Sequence, residues 1–295
     1  MSNGPVHTNN FLPSVQIPSV NGIIYALLAS VFWGTNGVLL RVGLRGKDVV
    51  SSTMTIMLVV SAITFAFSFG DLHRTATDPV KLAYLFLAGF FSYFVARVIT
   101  YRSVTEVGSS RAFSATSTRI LFSALFGYFL LSEDMGLYTL SGTLLMILGL
   151  YTFTTERIDR RELIISTSSG IFYGLASLLI KVGMLESVFV SVFIASLSGF
   201  LSLAAFSAAT GRLEISINRY IFLSAMSLAA GNIAYFYSLS AIPLVIAVPL
   251  SNLYPIVTTT LAYIFLKSDE LVGIRTFVGS VLTVAGASLI SVSIS

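Results

Sequence analysis

The chain has 295 residues, of which 55% are apolar and only 10% charged, with a mean hydropathy of +0.89 and a formal net charge of +4. That balance is far from an ordinary soluble domain and points to a protein that crosses a membrane many times. The 17 basic residues are scattered singly rather than gathered in a patch, which argues against nucleic acid as a partner, and the lack of cysteine removes disulfides and thiolate metal sites.

Residues 1–21 are polar, carry Pro5, Pro13 and Pro18, and lack the basic start and apolar core of a cleaved signal, so they read as a flexible tail. Ten apolar runs follow, each near the roughly 20 residues that cross about 30 Å of hydrocarbon as a helix. Spans 1 to 5 are predicted over Gly22 to Leu40, Val49 to Gly70, Lys81 to Tyr101, Ser109 to Leu131 and Gly136 to Thr155. Spans 6 to 10 are predicted over Leu163 to Gly183, Ser187 to Thr210, Arg219 to Ser240, Pro243 to Leu266 and Leu271 to Ser293. The runs are continuously apolar and about twice the length of a barrel strand, so the predicted class is all-α, a polytopic membrane protein with ten transmembrane helices.

The chain repeats itself. Val31 to Gly43 in span 1 aligns without a gap on Ile171 to Gly183 in span 6, with Phe32/Phe172, Gly34/Gly174, Leu39/Leu179, Val42/Val182 and Gly43/Gly183 identical, and Trp33/Tyr173 and Arg41/Lys181 conservative. Arg97 to Leu131 falls on Asn232 to Leu266 at a shift of 135, and acidic residues follow both ends: Glu133 and Asp134, then Asp269 and Glu270. Gly142 and Gly149 match Gly279 and Gly286 at a shift of 137. The organisation is therefore a first five-helix repeat over 22–155, a charged linker over 156–162 and a second repeat over 163–295. An odd number of spans per repeat makes the second cross in the opposite sense, and such inverted pairs are the usual scaffold of alternating access.

This layout resembles the drug/metabolite transporter superfamily, in particular its EamA-like ten-helix branch. The resemblance rests on Trp33-Gly34 and Tyr173-Gly174, on the Arg41 and Lys181 helix ends, on Gly108 or Pro243 at the start of spans 4 and 9, and on the acidic ends after Leu131 and Leu266. It implies an integral-membrane carrier of small metabolites, with its binding cavity at the midplane. The connections after odd-numbered spans hold twelve Lys and Arg, from Arg41 to Arg275, and those after even-numbered spans hold three, Arg74, Lys81 and Lys181. The positive-inside rule then sets both termini outside, whereas the resemblance implies cytoplasmic termini; the charge count is followed here.

Arg97 and Arg119 stand well inside spans 3 and 4, where an arginine costs about 2.5 to 3.5 kcal/mol on insertion scales and marks a functional site by default. Tyr93, Arg97 and Tyr101 share one face of span 3, and Ser109, Thr116 and Ser123 form a polar lane on span 4. Their repeat counterparts, Asn232 for Arg97 and Tyr254 for Arg119, offer neutral hydrogen-bonding groups, so the site is expected to be asymmetric. Tyr235, Asn252, Trp33 and Asn36 complete the substrate-binding candidates, while Pro249 and Pro255 in span 9 are candidate gating residues because each interrupts backbone bonding.

No Asp or Glu falls mid-span, and Glu106, with Arg102 or Arg111 as partner, is the nearest acid. Two fixed cations without a buried acid call for a substrate that supplies negative charge. The expectation is a secondary transporter moving an anionic or zwitterionic metabolite, such as an amino acid or organic acid, by alternating access. The alternatives are a passive anion-selective channel and an organophosphate or nucleotide-sugar exchanger. The residue patterns of an enzyme are lacking, and no metal or cofactor is expected. The expected partners are the small-molecule substrate and the lipid bilayer, in the cell membrane. The glycine pairs of spans 5 and 10 serve close helix contact within the chain or, alternatively, a homodimer seam.

Overall fold

The computed structural model describes residues 19–75, 78–154, 160–211, 213–266 and 274–292. Most of the polar tail and of the charged linker, together with Asp269 and Glu270, lies outside these residues. The described residues form ten helices and no strand. The first repeat contributes α1 (Val20–Gly43), α2 (Val49–Ser68), α3 (Pro79–Val107), α4 (109–131) and α5 (Leu137–Thr154). The second contributes α6 (Arg160–Gly183), α7 (Val188–Ala209), α8 (Arg219–Ala241), α9 (Leu244–Leu266) and α10 (Ile274–Val292). By length and composition α1, α2, α3, α7, α8 and α9 can each cross a membrane, and shorter apolar stretches occur at Thr116–Leu131, Leu137–Gly149 and Val281–Ile290.

Polar residues between the spans start the helices as expected. The side chains of Ser19, Asp48, Asp78, Ser187 and Asn218 accept from backbone N–H groups in the first turns of α1, α2, α3, α7 and α8. Pro243 has no such side chain to offer at the start of α9. There Glu133, from the other repeat, accepts from the N–H groups of Leu244 and Val245 at 2.8 and 2.9 Å. The repeated acidic position after α4 is thus a cap supplied across the repeats. The repeated cation has an analogous task at the other helix end. Arg41 donates to the carbonyls of Val104 and Thr105 at the end of α3, and Lys181 donates to those of Leu239 and Ile242 at the end of α8.

Packing maps onto itself when the repeats are exchanged. α1 lies along α8 and α9, and α6 lies along α3 and α4; α2 faces α7, and α5 faces α10. Small residues set these seams, because within lipid helices gain most from close approach. Gly34 abuts Tyr254 and Val257 of α9, and its mate Gly174 abuts Arg119, Phe122 and Ser123 of α4. Gly43 meets Tyr220 and Ile221, and its mate Gly183 meets Lys81, Tyr84 and Leu85. Residues 31–40 and 171–180 even share one order of exposed, half-buried and buried positions. The two conserved glycines of the motif are therefore docking points, used twice.

Gly142 and Gly149 of α5 face Gly286 and Gly279 of α10 within the chain. A side-chain carbon added at either Gly142 or Gly286 would meet the other's backbone oxygen at 2.5 Å. Gly142→Val and Gly286→Val should each destabilise the detergent-solubilised protein by about 1–3 kcal/mol, as overpacking does. A melting temperature equal to wild type in both variants would contradict the α5–α10 seam.

Candidate functional site

Three helices lose regular α-geometry at one level of the bundle. In α3 a π-helical segment, Phe90–Ala96, immediately precedes Arg97. In α4 a single 3-10 turn, Thr116–Thr118, immediately precedes Arg119. In α9 the helix stops at Ser251 and resumes at Tyr254, the repeat counterpart of Arg119, with Pro249 before the break and Pro255 just after it. Breaks of this kind are tolerated in a membrane where they are buried in protein or line a cavity.

The cavity is present. It lies between the repeats and leaves about 50 Å³ open to the centres of water-sized spheres, room for several waters or the head of a small acid. Of the residues singled out from the sequence, Arg97, Arg119, Tyr93, Asn232, Tyr235, Tyr254, Trp33 and Asn36 line it. Both guanidiniums are almost fully enclosed, at 7% and 5% exposure, so neither snorkels to an interface. No acid lines the cavity among the described residues.

Aromatic faces stand where counter-ions would. The Arg97 guanidinium lies 5.1 Å from the Tyr93 ring, 5.6 Å from Tyr101 and 6.0 Å from Tyr173, and donates to the Tyr101 hydroxyl at 3.3 Å. Arg119 lies 5.0 Å from Trp33 and 5.2 Å from Tyr235, and donates to Ser251 Oγ at 3.3 Å. Each such face is worth about 0.5–2 kcal/mol to a cation. Trp33 Nε1 donates to Asn232 Oδ1 at 3.1 Å, Tyr235 donates to Ser177 at 2.8 Å, and the hydroxyls of Thr116 and Tyr254 share a 2.6 Å bond. Asn36 accepts from Ser224 at 2.6 Å, which ties α1 to α8 beside the cavity.

Two expected residues stand elsewhere. Tyr101 is fully buried behind Arg97 and orients it without lining the cavity. Asn252 is buried at the α9 break and also lies off the lining. The polar lane of α4 is likewise interrupted: Thr116 reaches the cavity, while Ser109 and Ser123 do not. Glu106 pairs with Arg102 at 2.8 Å on an exposed helix face, away from the cavity, and the side chain of Arg111 lies outside the described residues.

Tyr173, Thr100, Phe113 and Ser177 line the cavity without having been singled out. Tyr173 was within reach, since it aligns with Trp33 in the internal repeat. Among the described residues no group of three His, Asp or Glu side chains could hold a metal.

A helical bundle of two repeats with many apolar spans around a cationic chamber defines a polytopic membrane protein. The chain matches the model of the EamA-like transporter family twice, over residues 20–155 and 161–292, and it belongs to that family of drug/metabolite membrane transporters. A crystal structure of another protein is similar over 92% of this chain and 96% of that one, at 13% identity and a TM-score of 0.69, a likeness that shows the fold alone. No curated protein matches the chain.

Trp33 is the single tryptophan of the chain, so its emission reads this chamber alone. Arg119→Gln removes the cation held against the indole and should shift the emission maximum relative to wild type. A spectrum identical to wild type would show that the guanidinium does not stand beside Trp33.

Proposed function

We propose that this protein is a secondary transporter of the cell membrane that carries a small polar metabolite with an acid group, anionic or zwitterionic, by alternating access. The halves over 22–155 and 163–295 are the moving bodies. One observation carries the reading: two enclosed guanidiniums, without an acidic partner among the described residues, face one chamber at the junction of the repeats. A charge-assisted bond from a bound carboxylate or phosphate satisfies what the aromatic rings satisfy only in part. Arg97 and Arg119 bind the acid group, Asn232, Tyr235 and Tyr254 orient the remainder from the second repeat, and Trp33 and Asn36 bound the chamber from α1. Pro249 and Pro255, on either side of the α9 break, serve as the gate.

The inverted repeats support alternation because the contacts of α1 with α8 and α9 correspond to those of α6 with α3 and α4. Exchanging slightly different shapes between halves would open one side of the chamber as it closes the other. In liposomes loaded with amino acids and organic acids, wild-type protein should give saturable counterflow of at least one. Arg97→Gln and Arg119→Gln should each slow it by about tenfold or more while the protein still inserts and melts cooperatively. Linear, unsaturated flux would overturn the carrier reading in favour of an anion channel.

A further inference from the structure

The unpartnered polar atoms on the residues that line the chamber share one chemical character, whereas Asn252, off the lining at the α9 break, leaves both a donor and an acceptor unpartnered. On the lining, the buried polar atoms lacking a partner are Arg97 Nε, Arg119 Nε and Asn232 Nδ2. All three are donors. The amide orientation of Asn232 follows from chemistry, because the indole N–H of Trp33 can only donate and so must face Oδ1, leaving Nδ2 free. Asn232 is 1% exposed.

Hydroxyls on the lining are already bonded within the protein, and the lone pairs they keep are uncharged. Tyr235 is bonded to Ser177, Tyr254 to Thr116, and Thr100 to the Ala96 carbonyl. The ring faces of Trp33, Tyr93, Tyr173 and Tyr235, which could otherwise hold an ammonium, are turned toward guanidiniums. A ligand ammonium placed here would meet two like charges and no carboxylate among the described lining residues.

Resting on the carrier reading above, we infer that the chamber selects acids without an ammonium group, carboxylates or phosphate esters that only accept hydrogen bonds, and rejects amino acids of the same size. The three orphan donors are the selectivity device, and Asn232 is its neutral member from the second repeat. Zwitterions fail because their carboxylate can bind only where their ammonium is repelled.

Matched pairs that differ by one ammonium test this directly: succinate against aspartate, propionate against alanine, and ethyl phosphate against phosphoethanolamine. Trp33 fluorescence titrations of purified protein, with inorganic phosphate as a further probe, should give at least one saturable response. In every responding pair the ammonium-free member should bind about tenfold tighter or better. Asn232→Leu, which removes a donor and no charge, should weaken that member, and Arg119→Lys should keep the preference for it at lower affinity. An amino member that binds as tightly as its partner overturns the inference, as does silence of all seven probes. Saturable counterflow of alanine or aspartate in liposomes would sink the charge rule while sustaining the carrier.

Discussion

A guanidinium in the middle of a bilayer has to be surrounded before it can be used. Each of Arg97 and Arg119 carries an insertion cost of about 2.5–3.5 kcal/mol, and neither has an acid beside it among the described residues. The rings of Tyr93, Tyr101 and Tyr173 on one and of Trp33 and Tyr235 on the other return about 1 kcal/mol apiece, a sum comparable with that cost. The aromatic density of the chamber follows from this requirement. Rings stabilise a cation without neutralising it, so the charge remains available to a ligand in a way that an internal ion pair would not allow.

The scaffold keeps those rings in place by close backbone approach rather than by apolar bulk. Gly231 leaves room for the Trp33 indole, and Gly199 leaves room for Tyr93; an added side-chain carbon at either would collide with the ring it accommodates. At the ends of the helices, where backbone groups run out of partners, side chains from elsewhere supply them. Arg41 and Lys181 take up carbonyls, and Glu133 takes up N–H groups.

Most of this architecture is written in hydropathy and repetition. The span limits, the pairing of Arg97 with Asn232 and of Arg119 with Tyr254, and the neighbourhood of Trp33 could all be read because helical periodicity and a constant repeat shift both survive in the residues. What could not be read is register after a break. Asn252 and Leu253 are the two non-helical residues between Ser251 and Tyr254, so helical spacing does not say which way Asn252 faces. The π-helical stretch of α3 has no proline to announce it. At that stretch α3 packs closely on α7, with Gly89 beside the Ala195 carbonyl and Tyr93 in the notch at Gly199. The capping work of Arg41 and Lys181 was equally hidden, because a cation at a helix end looks the same whether it marks an orientation or closes a neighbouring helix.

Irregular backbone and buried charge occur together here for one reason. Both leave polar groups that hydrocarbon cannot satisfy, so both are confined to the seam where two repeats meet and a ligand or water can reach. Placing Arg97 directly after the π segment and Arg119 directly after the 3-10 turn joins irregular backbone to the two groups with most to gain from a bound anion. Their counterparts in the second repeat follow a different pattern. Asn232 lies within an unbroken α8, whereas Tyr254 follows the break in α9. A scaffold that maps onto itself in packing is therefore unequal in charge and in helix regularity, with the first repeat holding the cations and the second presenting neutral groups against them.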